Sequence, residues 1–265
     1  MTPMLLAIDI GNSNVVTGIF EGQTLLNHWR LATDPKRTAD EYGVLCLSLM
    51  AQNGRVPEQI TGAIISSVVP ALTETLESMV ETSFGCTPIT VSSDLETGLI
   101  LKYLNPKEIG SDRIVNAVAA HEKFRRDLII VDFGTATTFC AVSGTGEYLG
   151  GVIAPGLGIS AEALFSRAAK LSKVELARPK TVIGIDTAGS IQSGLIFGYA
   201  GLVDTLVHRI ETEMGRSSFV IATGGLAQVI ASEARTIQHI EPFLTLQGLE
   251  LLYRRTHGTH STNWV

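Results

Sequence analysis

The chain is 265 residues long, 45% hydrophobic and 17% charged. That length fits one large domain or two modest ones, and a disordered chain would show the opposite balance. A net charge of −6, with no Lys/Arg run beyond Arg125-Arg126 and Arg254-Arg255, leaves no nucleic-acid footprint.

The chain start lacks a basic segment and its apolar run stops at Asp9, so it reads as a first strand and not a signal peptide. Leu5-Leu6-Ala7-Ile8 is that strand, and it ends in the turn Asp9-Ile10-Gly11-Asn12-Ser13-Asn14. Val15–Phe20 alternates as a returning strand and Thr24–Leu31 as a third, which makes an antiparallel meander. Thr38–Met50 has helical spacing, with Tyr42, Leu45 and Leu49 on one face. Ile60–Val68 reads as an apolar strand, Pro70 opens a helix, and Pro88–Val91 is a short strand. Asp112–Arg126 is helical, with His121 an ordinary residue on it, and Leu128–Asp132 begins a second set of strands. Tyr148–Ala154 is a strand leading into Pro155-Gly156-Leu157-Gly158. Helices are predicted over Ile159–Lys170, Ala188–Glu213 and Leu246–Thr256, with the strand Phe219–Ala222 running into Thr223-Gly224-Gly225. The polar tail from His257, apart from Trp264, is predicted to fray, and its His257/His260 pair reads as solvated. Cys46, Cys86 and Cys140 stand far apart with no CxxC pair, so disulfides and a structural zinc site are not expected. No apolar run of about 18 residues is read, so no membrane span is expected and the compartment is the cytoplasm.

The turn at Asp9 recurs half a chain later as Asp132-Phe133-Gly134-Thr135-Ala136-Thr137. In each copy an apolar strand ends in Asp, then x-Gly, then small hydrogen-bonding residues, then an apolar returning strand (Val15–Phe20, Phe139–Val142). Such a repeat predicts two related α/β domains, residues 1–115 and 116–265, each a mixed sheet with flanking helices and with a cleft between them as the site. The last helix is drawn toward the N-terminal domain.

Phosphate needs free backbone amides for its oxygens and a carboxylate to hold hydrated Mg²⁺ against it, and a strand ending in Asp-x-Gly supplies both. One such turn is an ordinary hairpin; two copies, with Thr223-Gly224-Gly225 after a third apolar strand, are a phosphate-handling pattern. Asp112, in Ile109-Gly110-Ser111-Asp112-Arg113, reads either as a helix N-cap or as a carboxylate that takes the proton of an attacking hydroxyl.

The ordered set Asp9-Ile10-Gly11-Asn12, Tyr103-x-Asn105-Pro106, Gly110-Ser111-Asp112-Arg113 and Asp132-Phe133-Gly134-Thr135-Ala136-Thr137 resembles type III pantothenate kinases. So do Gly150-Gly151-x-Ile153-x-Pro155-Gly156, Ile183-Gly184-x-x-Thr187-x-x-Ser190-Ile191-x-Ser193-Gly194 and Thr223-Gly224-Gly225, so that the likeness spans residues 5 to 250. The resemblance implies two actin-like (ribonuclease H-like) domains of the acetate and sugar kinase/heat-shock ATPase/actin superfamily. It also implies ATP-dependent phosphorylation of pantothenate to 4′-phosphopantothenate, the first step of coenzyme A synthesis. Asp9, Ile10, Gly11, Asn12, Ser13, Asn14, Val15 and Val16 would cradle the ATP phosphates, with Asp9 near Mg²⁺ through water and Thr135 touching ATP. Asp112 would be the general base. Tyr103, Gly110, Ser111, Asp112, Arg113 and Thr187 would line the pantothenate pocket, Thr187 doubling as a possible N-cap. Asp132 would bind the monovalent cation, K⁺ or NH₄⁺. Family members are homodimers whose substrate pocket borders the subunit interface, which suits the apolar composition. Ser13 and Ser111 are mild departures from the usual residues. Another superfamily kinase or a polyphosphatase, and a regulatory protein that has lost catalysis, remain the alternatives; the intact Asp9, Asp112 and Asp132 favour the enzyme.

Overall fold

A computed structural model describes residues 2–167 and 173–258. Two compact units emerge: the first holds the chain up to Leu99, Leu104–Ala119 and the chain from Leu244, the second Ile100–Tyr103 and Ala120–Phe243.

In the first unit β1 (Met4–Ile10), β2 (Asn14–Glu21) and β3 (Thr24–Ala32) form the expected meander. Asp9 stands opposite Val16 across the antiparallel β1–β2 pair. α1 (Ala39–Gln52) opens on a capping box: the Thr38 hydroxyl accepts from the Glu41 N–H, and the Glu41 carboxylate accepts from the Thr38 N–H. Its buried stripe is Tyr42, Cys46 and Met50, with Leu45 and Leu49 half-buried at its margin. β4 (Ile60–Ser67) lies parallel to β1, and α2 (Pro70–Phe84) starts with proline where no N–H partner is needed. β5 (Ile89–Thr90) completes the sheet, in the order β3-β2-β1-β4-β5. Met4, Leu6, Ile8 and Ile10 turn one way along β1 and pack with Ala63, Ile65, Tyr42, Leu72 and Leu76.

The two-residue β6 (Ile100–Leu101) belongs to the second unit, and α3 (Ser111–Phe124) begins in the first. The second sheet then takes β7 (Leu128–Phe133), β8 (Ala136–Val142) and β9 (Glu147–Pro155). After α4 (Leu157–Arg167) and the long α5 (Thr187–Met214) come β10 (Phe219–Thr223), α6 (Ala227–Ala231) and β11 (His239–Ile240). The sheet order is β11-β10-β7-β8-β9-β6. Read from β9 to β11 it repeats the first sheet strand for strand, with β6 added at one edge: an antiparallel meander, then a parallel strand beside the first. Two mixed sheets with flanking helices, so related, are the architecture the repeat predicts. The second turn is one residue shorter, because Phe133 pairs with Thr137 where Ile10 pairs with Val15. The correspondence read from Asp9 and Asp132 therefore slips by one on the returning strand.

By length and composition α5 alone among the described helices could cross a membrane, though polar residues interrupt it throughout. Its apolar face, including Ile191, Leu195, Ile196, Val203 and Val207, packs with Val131, Phe139 and Val220 as a core helix does. The predicted end of the preceding helix at Lys170, and the tail with His260 and Trp264, lie outside the described residues. His121 is buried, its Nε2 3.3 Å from the Gly144 carbonyl oxygen and its ring against Gly146.

Finally α7 (Leu244–Gly258) covers the other face of the first sheet. Leu246 fills the space over Gly18, and the Tyr253 phenol lies on Gly62 where any Cβ would stand. Cys46, Cys86 and Cys140 are free thiols. Burial pushes Cys46 up to about 12, so it is a neutral packing group.

Thr17, 1% exposed, keeps a hydroxyl with no hydrogen-bond partner among the described residues. Thr17→Val removes that unsatisfied group while keeping the shape, so it is expected to add about 1 kcal/mol of stability and raise Tm by roughly 2–4 °C. A calorimetric scan that showed a lower Tm would mean the hydroxyl is satisfied in solution.

Candidate active site

The Asp9 turn is held by its own backbone. Gly11 N–H donates to the Asn14 carbonyl at 3.0 Å, Thr33 N–H donates to the Ser13 carbonyl at 3.1 Å, and the Thr33 hydroxyl donates to the Gly11 carbonyl at 2.6 Å. Asn12 and Ser13 are exposed at the tip, and Asp9 is half-buried at its base. Ile10 and Val15 point their side chains into the core, so only their backbone groups face the turn.

At the same end of this sheet β4 closes on Ser66 and Ser67, which stand beside Asp9 and Ile10 in parallel register. Asp9 and Ser66 share a face. The start of α3 is tied here: Ser67 N–H donates to the Ser111 hydroxyl at 3.0 Å, that hydroxyl donates to the Ser67 carbonyl at 2.9 Å, and Ser66 Oγ stands 2.9 Å from Ser111 Oγ. The Gly110 carbonyl accepts from Arg113 N–H and Ile114 N–H, so Gly110 occupies the cap position and Asp112 lies inside the first turn. The N-cap alternative for Asp112 falls for that reason. Its carboxylate folds back over Gly110, where a Cβ would stand 2.5 Å from Oδ1, and accepts from Arg113 N–H at 2.8 Å. Loss of water holds this carboxyl above the ordinary carboxylate range, against the opposing pull of that N–H and of the Arg113 charge. Arg113 itself is 5% exposed. A carboxyl so placed, in the first turn of a helix, has raised basicity.

In the second unit Asp132 pairs with Thr138 on β8 and with Thr223 on β10. Two glycine turns press on the Asp132–Ala136 turn. Gly156 lies on the Thr135 and Gly134 carbonyls, too close for any Cβ. Gly224, at φ +92°, would bring a Cβ within 2.5 Å of Asp132 Oδ1 and 2.7 Å of the Phe133 backbone. The Thr223-Gly224-Gly225 motif therefore packs directly against the Asp132 carboxylate and the Phe133 backbone.

Tyr103 also lies in the second unit, its ring 6.3 Å from that of Tyr148 and over Gly150. Thr187 begins α5, whose N-cap is Asp186, its Oδ1 accepting from Gly189 N–H at 2.6 Å. The cap alternative for Thr187 is corrected in this way, and the residue is exposed in a surface groove of about 610 Å³ with Ile185, Ser190 and Leu164. Among the described residues no three His, Cys, Asp or Glu side chains gather into a metal-binding group.

Ser66 and Ser67 escaped the sequence reading. Their one signal is a pair of hydroxyls closing an otherwise apolar strand just before Val68-Val69-Pro70.

The family model for type III pantothenate kinases matches residues 5–209. A type III pantothenate kinase of Myxococcus xanthus is 51% identical, covering 97% of this chain and 100% of its own length. One from Pelobacter propionicus is 54% identical over 95% of this chain and 99% of its own. In structure the chain resembles a ROK hexokinase from Thermus thermophilus, with a TM-score of 0.51 at 14% identity over 96% of this chain and 99% of that one, a likeness of fold. With the family model covering most of the chain and relatives matched over nearly their whole length, this chain belongs to the type III pantothenate kinase family.

Proposed function

We propose that the protein phosphorylates pantothenate from ATP, giving 4′-phosphopantothenate and ADP, the first step toward coenzyme A. The observation that carries this reading is the full-length match to relatives named for that activity. The desolvated carboxyl of Asp112 at the head of α3 supports it. In the reaction the primary hydroxyl oxygen of pantothenate bonds to the γ-phosphorus, the bond from that phosphorus to the β–γ bridging oxygen breaks, and Asp112 receives the hydroxyl proton.

The turn from Asp9 to Val16 would take the ATP phosphates on its backbone and on Asn12 and Ser13, and Thr135 would reach ATP from its own turn. Gly110–Arg113, Tyr103 and Thr187 would take the acceptor, with Arg113 supplying a fork of donors to its carboxylate. Mg²⁺ would be held by Asp9 through water together with the nucleotide's phosphates, and when bound it neutralises charge on the transferring group. Asp132 would bind K⁺ or NH₄⁺. The working form would be a cytoplasmic homodimer, and neither nucleic acid nor a membrane enters this reading.

Incubation with ATP, Mg²⁺ and pantothenate, in K⁺ or in Na⁺, tests this by mass spectrometry. A product heavier by one phosphoryl group, abundant in K⁺ and at least about tenfold scarcer in Na⁺, is expected. Folded protein that makes no product with pantothenate in either salt would move the weight to the regulatory alternative.

A further inference from the structure

We infer that the buried hydroxyls of Ser66 and Ser111 form a positioning device that fixes where the Asp112 carboxylate stands. This rests on the reading of Asp112 as the proton acceptor and adds to it the means by which the acceptor is held.

The end of β4 poses a problem in hydrogen bonding. β5 pairs only with Ile64 and Ile65, and Val91 N–H donates to the Ile65 carbonyl. On the other side Val68 N–H reaches back to the Ile10 carbonyl of β1. In an extended chain the N–H and C=O of Ser67 then point away from β1, past the end of β5, where no strand meets them. The Ser111 hydroxyl meets both, accepting from the N–H at 3.0 Å and donating to the carbonyl at 2.9 Å. One side chain thus stands in for the peptide group of a missing neighbouring strand.

The count of protons settles the rest. A serine hydroxyl has one hydrogen and two lone pairs. With its hydrogen given to Ser67 O, Ser111 Oγ can only accept from Ser66 Oγ, 2.9 Å away, and its capacity is then full. Ser66 is 0% exposed and Ser111 8%. Ser67 is braced in turn, its own hydroxyl accepting from Thr73 Oγ1 at 2.8 Å at the start of α2. The Ser111 hydroxyl therefore has no capacity left for a substrate, which can meet this residue only through its backbone. Its part in the Gly110–Arg113 segment is to lock the helix start to the strand end beside Asp9, one residue before Asp112. A displacement of about 1 Å in a reacting group is enough to cost on the order of a hundredfold in rate.

The test is steady-state kinetics of Ser111→Ala and Ser66→Ala, with Ser111→Thr retaining the hydroxyl. Expected for Ser111→Ala is a kcat lower by about 10–100-fold, with KM for pantothenate changed less than about threefold. The acidic limb of its pH–rate profile should move to lower pH as water reaches Asp112. Ser66→Ala should fall in the same way but less, the double variant should lose no more than Ser111→Ala alone, and Ser111→Thr should recover most of the rate. If Ser111→Ala does not fold, Ser66→Ala, which removes a single bond, carries the test. A wild-type kcat in both alanine variants, whatever their Tm, overturns the inference. So does a raised KM for pantothenate at unchanged kcat, which would make Ser111 a substrate contact. An inactive wild-type enzyme, or an Asp112→Asn variant as active as wild type, overturns the parent reading instead, and the two failures are told apart by those controls.

Discussion

Asp112→Asn is expected to lower kcat by about 10²–10⁴-fold, the range that a positioned proton acceptor contributes, without lowering stability at neutral pH. The second half of that expectation follows from the cause of the pKa shift. Loss of water, the larger effect, raises the carboxyl above its ordinary value of 3.8, and the Arg113 N–H and charge only partly offset it. A carboxyl whose pKa is higher folded than unfolded binds its proton more tightly in the folded state. Its favourable contribution is complete below the unfolded value and is lost as pH rises through the folded one. At pH 7.5 the ionised Asp112 is therefore held against its hydration, and the neutral amide is not. The variant should melt at the same temperature as wild type or higher at pH 7.5, with the gap closing below pH 4. A variant that melts lower at pH 7.5 would mean that attraction to Arg113 outweighs desolvation. The wild-type rate should also fall on the acid side at a pH above the usual carboxylate range, since only the ionised form can accept a proton.

Gly224→Ala should be a damaging small substitution in the second unit. The residue sits at φ +92°, where a side chain is strained, and its Cβ would meet Asp132 Oδ1 at 2.5 Å and the Phe133 backbone at 2.7 Å. Strain and collision together are expected to cost roughly 2–4 kcal/mol, a fall in Tm of roughly 5–15 °C. Because the collision falls on the Asp132 carboxylate, the concentration of K⁺ that gives half-maximal rate should rise by about tenfold or more. Titrating KCl against activity at a temperature where the variant is still folded separates the two effects. A wild-type Tm together with a wild-type K⁺ response would mean that the two turns do not touch.

Much of this was legible because strand and turn chemistry is local. The apolar runs at Leu5–Ile8 and Leu128–Val131, each stopped by Asp and then x-Gly, are enough to predict two copies of one hairpin. What the hairpins join is not local. The slip of one residue between Val15 and Thr137 shows only in the cross-strand pairing, since both returning strands keep the same apolar alternation. Ser66 and Ser67 look like the polar end of a strand until Ser111, far along the chain, supplies their partner. The cap alternatives for Asp112 and Thr187 failed by two residues and by one: Gly110 and Asp186 hold those positions, and either sequence would have tolerated the other assignment.

The place of α7 has a consequence for synthesis on the ribosome. The second sheet and its helices are complete once residue 243 has been made, yet the first sheet, translated earlier, waits for residues 244–258 to cover the face where Leu246 meets Gly18 and Tyr253 meets Gly62. For the time it takes to translate the whole of the second unit, that face stands open as apolar surface that a chaperone can recognise. Order of birth and order of completion are thus reversed: the half of the molecule that emerges first is the half that finishes last.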